Sequence, residues 1–158
     1  LTGGAGNDSL VGGADGDVIV GGAGIDTIDG GDGNDNIQAG DGKDVMTGGA
    51  GADIFQVASS TTIGLSDQIL DWANEDKLHF ASGAVAQSAY YEGTYADYAN
   101  ALIDANARIA AGTADVVVAQ IGANVVVFAD SASDNGAADD AIVLMGRTLA
   151  DIDYTHII

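Results

Sequence analysis

Large apolar residues recur every nine positions along the first third of the chain: Leu10, Ile19, Ile28, Ile37, Met46 and Phe55. Each stands between two residues that alternate with it, outward, inward, outward, which is a minimal strand with one buried side chain. Between these triplets lie six residues of the type G-G-x-G-x-D. Glycine costs about 1 kcal/mol per helical position relative to alanine, so these six are read as turns. Glycine also supplies positive φ and lets carbonyl oxygens approach one another without Cβ clashes. From Gly3 to Gln56 the chain divides without remainder into six nonapeptides: GGAGNDSLV, GGADGDVIV, GGAGIDTID, GGDGNDNIQ, AGDGKDVMT and GGAGADIFQ. Turn and strand in alternation predict a coil with two nonapeptides per circuit and a parallel sheet on each side. Leu10, Ile28 and Met46 then share one inward column, and Ile19, Ile37 and Phe55 the other.

After Gln56 the period stops. Asp67-Gln-Ile-Leu-Asp71-Trp72 and Glu75-Asp76-Lys77-Leu78-His79-Phe80 read as two short strands around a turn. Phe55, Ile69, Leu70, Trp72, Leu78 and Phe80 are expected to close the open end of the coil, as a terminal cap must. Thr94 to Ala111 reads as a helix with Tyr95, Tyr98, Ala99, Leu102, Ala105 and Ile109 on one face, an Asp104–Arg108 pair, and Gly112 to end it. Val116 to Ile121 and Val125 to Phe128 read as a hairpin through Gly122-Ala123-Asn124, and Ala141 to Met145 as a further strand. Polar residues interrupt the apolar runs, and none approaches the ~20 residues of a membrane-spanning helix. The division expected is residues 1–56 as the repeat unit and 57–158 as the cap.

The acids change the picture. The chain holds 24 Asp and Glu against 4 Lys and Arg, a net charge of −20, and 22 of those acids are Asp. That charge excludes nucleic acid and anionic membrane surfaces as partners, since both need a basic face. Without Cys there is no disulfide framework, thiolate metal site or cysteine nucleophile. A mean hydropathy of +0.18 is a poor fit to generic disorder. Asp beside Gly suits tight liganding turns, whereas a solvated acidic surface uses Glu as freely.

Position six of every repeat is Asp: Asp8, Asp17, Asp26, Asp35, Asp44 and Asp53. In the coil, Asp8, Asp26 and Asp44 form one file and Asp17, Asp35 and Asp53 the opposite one. Stacked about 4.8 Å apart, such carboxylates repel unless a cation lies between them. A hard divalent ion between turns n and n+2 takes six to eight oxygens at about 2.3–2.6 Å, from carboxylates and backbone carbonyls. The carbonyls available lie around Gly3, Gly4, Gly6, Gly12, Gly13, Gly21, Gly22, Gly24, Gly30, Gly31, Gly33, Gly40, Gly42, Gly48, Gly49 and Gly51. Calcium suits this flexible cage. Magnesium prefers strict octahedra, and zinc wants the His or Cys that the repeats lack. Pairing alternate repeats gives about four complete sites. Two departures stand out: Ala39 replaces the first Gly of repeat five, and repeat two carries Asp15-Gly16 where Gly-x is expected. The loop from Asp130 to Asp140 reads first as a solvated turn, because Ala132 fails the EF-hand spacing; Asp130, Asp134 and Asp139 offer an additional cation site as the alternative.

The motif G-G-x-G-x-D-x-U-x in six consecutive copies resembles the RTX (repeats-in-toxin, haemolysin-type calcium-binding) family. The resemblance implies a right-handed parallel β-roll with calcium between turns, here capped by a β-rich region with one α-helix, in a protein exported by bacterial type I secretion. Asp67 to Leu78 is similar to the D-x-I-x-D-F…D-K-I segment that follows the array in many members. Arg147 to Ile158, acidic and then apolar, resembles the uncleaved export signals of type I substrates. Leu1-Thr2 occupy positions eight and nine of a preceding repeat, so the chain is expected to be cut from a longer array.

His79 and His156 are the only imidazoles, and neither sits in a zincin, nucleophile-elbow or triad context. The Gly-rich turns lack the Lys-Ser/Thr of a phosphate cradle, and their Asp repel phosphate. The expectation is a non-catalytic calcium-binding module of a secreted or cell-surface protein, with calcium and the type I apparatus as partners and self-association through the parent as a further option. The alternatives are the end of a surface-layer protein or adhesin, or the tail of a secreted metalloprotease, lipase or polysaccharide-modifying enzyme.

Overall fold

The computed structural model describes residues 1–57, 67–80, 90–111, 116–129 and 140–158. The repeats form strands β1 Thr2–Ala5, β2 Ser9–Ala14, β3 Val18–Ala23, β4 Thr27–Asp32, β5 Asn36–Asp41, β6 Val45–Ala50 and β7 Ile54–Val57. Odd and even strands separate into two parallel sheets, with Leu10, Ile28 and Met46 in register on one and Ile19, Ile37 and Phe55 on the other. All six side chains are buried, so the roll carries the two inward columns expected from the nine-residue period.

The strands are longer than the expected triplets. Five of them span six residues, because the chain stays extended through the following Gly-Gly-x. Only G-x-D remains as the turn. The first Gly of the pair is a second inward position, and the next Gly lies against the coil below: at Gly22, with φ +120°, a Cβ would collide with the Gly4 carbonyl. No side chain fits there, which is why the coil closes as tightly as it does.

Beyond the repeats come β8 Asp67–Ile69, β9 Lys77–Phe80, β10 Tyr90–Tyr95, α1 Tyr98–Ala110, β11 Val116–Ile121, β12 Asn124–Ala129 and β13 Asp140–Leu144. The first two do not pair with each other. β8 stacks on β6 and β9 on β7, both parallel, so they continue the roll by another circuit. Ile69 and Leu78 extend the inward columns, while Leu70 faces outward at 46% exposure, against the expectation that it closes the end. One sheet runs β1-β3-β5-β7-β9 and the other β10-β11-β12-β13-β8-β6-β4-β2.

The β11–β12 hairpin is antiparallel through Gly122-Ala123, and β13 joins it. Its continuous Val runs are buried on both faces. Val116, Val118, Val125 and Val127 join the roll's core, while Val117, Ala119, Val126 and Phe128 pack beneath α1. The helix starts later than its apolar pattern suggests. Tyr90–Tyr95 pairs parallel to β11 as β10, and Asp97 then caps α1 by accepting from the Asn100 N–H at 2.9 Å. Ala101, Ala105 and Ile109 form its buried face, and Ala99 is exposed. Gly112 lies outside the described residues.

Candidate calcium ladder

The turns place the repeat Asp residues in two files, and each file is stitched by backbone hydrogen bonds. The N–H of Asp8 donates to Asp26 Oδ1 at 2.9 Å, and that of Asp26 to Asp44 Oδ1 at 2.7 Å. In the other file Asp17 donates to Asp35 Oδ1 at 2.8 Å and Asp35 to Asp53 Oδ1 at 2.9 Å. Position five adds to this where it is Asn: Asn7 Oδ1 accepts from Ile25 N–H and Asn34 Oδ1 from Ala52 N–H, both at 2.9 Å. One oxygen of Asp26, Asp35, Asp44 and Asp53 is thus fixed by the coil before it.

The second oxygen has no such partner. Oδ2 of Asp8, Asp26, Asp35, Asp44 and Asp53 is buried with no hydrogen-bond donor, and Asp26 and Asp44 are fully buried as residues. An ionised carboxylate left this way is strongly disfavoured, and the ordinary remedy is a proton or a cation. Burial pushes the carboxyls of Asp44 and Asp53 above the usual range, with neighbouring carboxylates adding to the effect.

Oxygen crowding occurs at the same places. A Cβ built on Gly21 would meet Asp26 Oδ2 and the Ala39 carbonyl; on Gly30, Asp35 Oδ2 and the Gly48 carbonyl; on Gly12, Asp17 Oδ2 and the Gly30 carbonyl. Carboxylate and carbonyl oxygens of alternate turns therefore converge. Among the described residues no group of three or more His, Asp or Glu side chains gathers, so a bound ion has to draw part of its shell from backbone carbonyls. Unpartnered hard oxygens from carboxylate and carbonyl together fit calcium. Asp8, Asp17, Asp26, Asp35, Asp44 and Asp53 are the side chains that would hold it.

Asp67 and Asp76, which lie in the segment expected to be cap, are further members of the two files. Asp44 N–H donates to Asp67 Oδ1 at 2.9 Å and Asp53 N–H to Asp76 Oδ1 at 3.0 Å, repeating the stitch of the array. The signal that finds them is spacing: Asp67 and Asp76 are again nine apart, and each is followed two residues later by an inward apolar residue, Ile69 or Leu78. Five extra residues between Asp53 and Asp67 break the phase and hide the match. Burial pushes the Asp67 carboxyl up to about 7 and raises Asp76.

The end of the file that Asp76 joins differs from the array. Asp76 also accepts from Ala73 N–H through Oδ2 at 2.7 Å, so both of its oxygens are occupied. Asp71 accepts from Gly48 and Gly49 N–H at 2.9 and 2.7 Å. The turn Asp71–Asp76 closes its file with hydrogen bonds. Asp130, Asp134 and Asp139 lie outside the described residues.

The family model for the RTX calcium-binding nonapeptide repeat (4 copies) matches residues 1–28 and 20–55. Residues 1–55 are RTX calcium-binding repeats. The whole fold resembles the solution structure of the AlgE6R3 subunit of the Azotobacter vinelandii mannuronan C5-epimerase, at 26% identity and TM-score 0.66, over 99% of this chain and 80% of that one. It also resembles the AlgE6R2 subunit of the same enzyme, at 25% identity and TM-score 0.63, over 100% of this chain and 91% of that one. No curated protein matches the chain. Residues 1–55 thus match the RTX calcium-binding repeat model, and the fold as a whole, a parallel β-roll with a β-rich cap and one helix, is similar to that of the two epimerase subunits.

Proposed function

We propose that this chain is a non-catalytic module that folds on binding calcium outside the cell, and that it supports type I export and stability of a larger extracellular protein. The carrying observation is the set of buried, unpartnered Oδ2 atoms on Asp8, Asp26, Asp35, Asp44 and Asp53. Without a cation these carboxylates repel, and the Gly-rich turns gain little by ordering. Cytosolic calcium lies far below the ~10⁻⁴–10⁻³ M range of extracellular modules, so the chain stays open for export and binding energy becomes folding energy outside. About four ions occupy alternate-turn sites, held by the six repeat Asp residues and the glycine carbonyls beside them. Residues 1–56 are the calcium unit, 57–158 its cap, and Arg147–Ile158 the export signal.

A second reading places the module as the tail of a polysaccharide-modifying enzyme. The likeness to subunits of a mannuronan C5-epimerase favours it over the adhesin, protease and lipase alternatives. A calcium titration followed by far-UV circular dichroism, reversed with chelator, tests the folding reading. Strand signal should rise with calcium and collapse on chelation. Full strand content in excess chelator contradicts it.

A further inference from the structure

The segment Asp151–Ile158 is seated on the last circuit of the roll. Its amide and carbonyl groups extend the sheet past β9: Ile157 bridges Leu78, Ile158 N–H donates to the Leu78 carbonyl at 2.9 Å, and Phe80 N–H donates to the Ile158 carbonyl at 3.3 Å. Trp72 Nε1–H donates to the Asp151 carbonyl at 3.2 Å and Lys77 Nζ to the Thr155 carbonyl at 3.0 Å. The His156 ring lies 5.9 Å from that of Trp72, and its Nε2 is 3.1 Å from the Asn74 carbonyl. Ile152 and Ile157 are buried in the same core as Phe55, Trp72 and Leu78. The hydrogen-bond and ring partners among these all lie between Trp72 and Phe80.

That stretch is itself held by repeat six. β9 pairs with β7 from Ile54↔Lys77 to Val57↔Phe80, Asp76 accepts from Asp53, and Trp72 packs on Phe55 at 6.2 Å. The closing turn takes its hydrogen bonds from the amides of Gly48, Gly49 and Asp53. The platform for residues 151–158 therefore exists only when repeat six is ordered. The segment's own groups include no file Asp.

We propose that the turn and strand Asp71–Phe80 couple calcium-driven ordering of the repeats to concealment of Asp151–Ile158. The segment is exposed in the calcium-free chain and sequestered in the calcium-loaded one. An export apparatus would then meet an accessible segment before folding and a hidden one after it. This inference rests on the reading that the repeats order on calcium. Coupling is reciprocal, so a segment that docks only on the folded roll must also tighten calcium binding.

The test is amide hydrogen exchange on the full chain across a calcium titration. Ile158 and Phe80 amides should exchange freely in chelator and become protected at the same midpoint as Asn36 and Ile54, whose N–H groups bond Asp17 and Asp35 carbonyls in the array. Ile158 protected in chelator, or still unprotected at saturating calcium with the repeats ordered, overturns the coupling. Removing residues 151–158 should raise the calcium midpoint about fivefold or more. An unchanged midpoint overturns the coupling too. If the shortened chain does not order, Ile157→Ala in the full chain gives the same readout, with a rise of about twofold expected and no rise contradicting it. Strand content already full in chelator defeats the folding reading itself. Calcium-dependent strand content with calcium-independent Ile158 exchange defeats only the coupling.

Discussion

The N–H of Asp53 donates to Asp76 Oδ1 across an interval of 23 residues, and the other oxygen of Asp76 accepts from Ala73 N–H. Asp53, by contrast, keeps a buried Oδ2 with no donor. One carboxylate keeps an oxygen free of donors, and the other has both oxygens occupied. Asp76→Ala strands two amide donors, at a cost of about 1–3 kcal/mol for each that is left unsatisfied. The expected result is lower stability of the calcium-bound form in thermal unfolding, with the number of ions per chain in titration calorimetry unchanged.

Asp35→Asn has the opposite signature. The amide oxygen can keep the bond from Asp17 N–H, but an NH₂ group then stands where Oδ2 meets the oxygens of neighbouring turns. Fewer ions should bind, and the calcium midpoint should rise about tenfold or more, equivalent to about 1.4 kcal/mol. Calorimetry reads both quantities.

Two glycine substitutions separate backbone strain from crowding. Gly4 and Gly22 have similar positive φ, +116° and +120°, but a Cβ on Gly4 meets open space while one on Gly22 strikes the Gly4 carbonyl. Gly4→Ala should cost about 1–2 kcal/mol, the left-handed penalty alone. Gly22→Ala should cost clearly more, because the coils must separate. Thermal unfolding at saturating calcium compares them.

Asp15 holds a left-handed backbone, φ 70°, at the position where every other repeat carries Gly. Asp15→Gly removes that strain and is expected to stabilise the calcium-bound roll by about 1 kcal/mol. The same unfolding experiment reads it as a higher Tm.

Protons should partly replace calcium. Burial raises Asp44, Asp53 and Asp76 and pushes Asp67 up to about 7. A folded-state value above the unfolded one, about 3.9, means that the folded chain binds the proton more tightly. The stability from Asp67 is therefore full below about pH 4 and lost as the pH rises through about 7. In chelator, strand signal should grow as the pH falls from about 7.5 to about 4.5. With calcium present, apparent affinity should weaken as the pH falls, because protons compete for the raised carboxyls of Asp44 and Asp53. Circular dichroism in both buffers checks the two signs.

How much of this was legible in the residues depends on whether a rule is strictly local. The nine-residue period places Leu10 to Phe55 in two inward columns and Asp8 to Asp53 in two files, because each repeat repeats the same local geometry. The strand extension through Gly-Gly escaped the pattern, since glycine's weak strand preference is overridden by the sheet on either side. Asp67 and Asp76 escaped because the five inserted residues reset the phase. Thr94 and Tyr95 look helical by spacing, yet pairing with β11 takes them into β10, a tertiary contact no local rule contains. Leu70 faces outward because Ile69 holds the inward position, and a one-residue step flips the face.

On the function proposed above, the unpartnered Oδ2 atoms are calcium ligands. A crystal structure grown in millimolar calcium, with anomalous scattering to locate the ions, tests it directly. Ions are expected between alternate turns in both files, within about 2.3–2.6 Å of the Oδ2 atoms of Asp8, Asp26, Asp35, Asp44 and Asp53. Folded repeats in which those oxygens bond only water or protein donors, with no anomalous peak beside them, would contradict it.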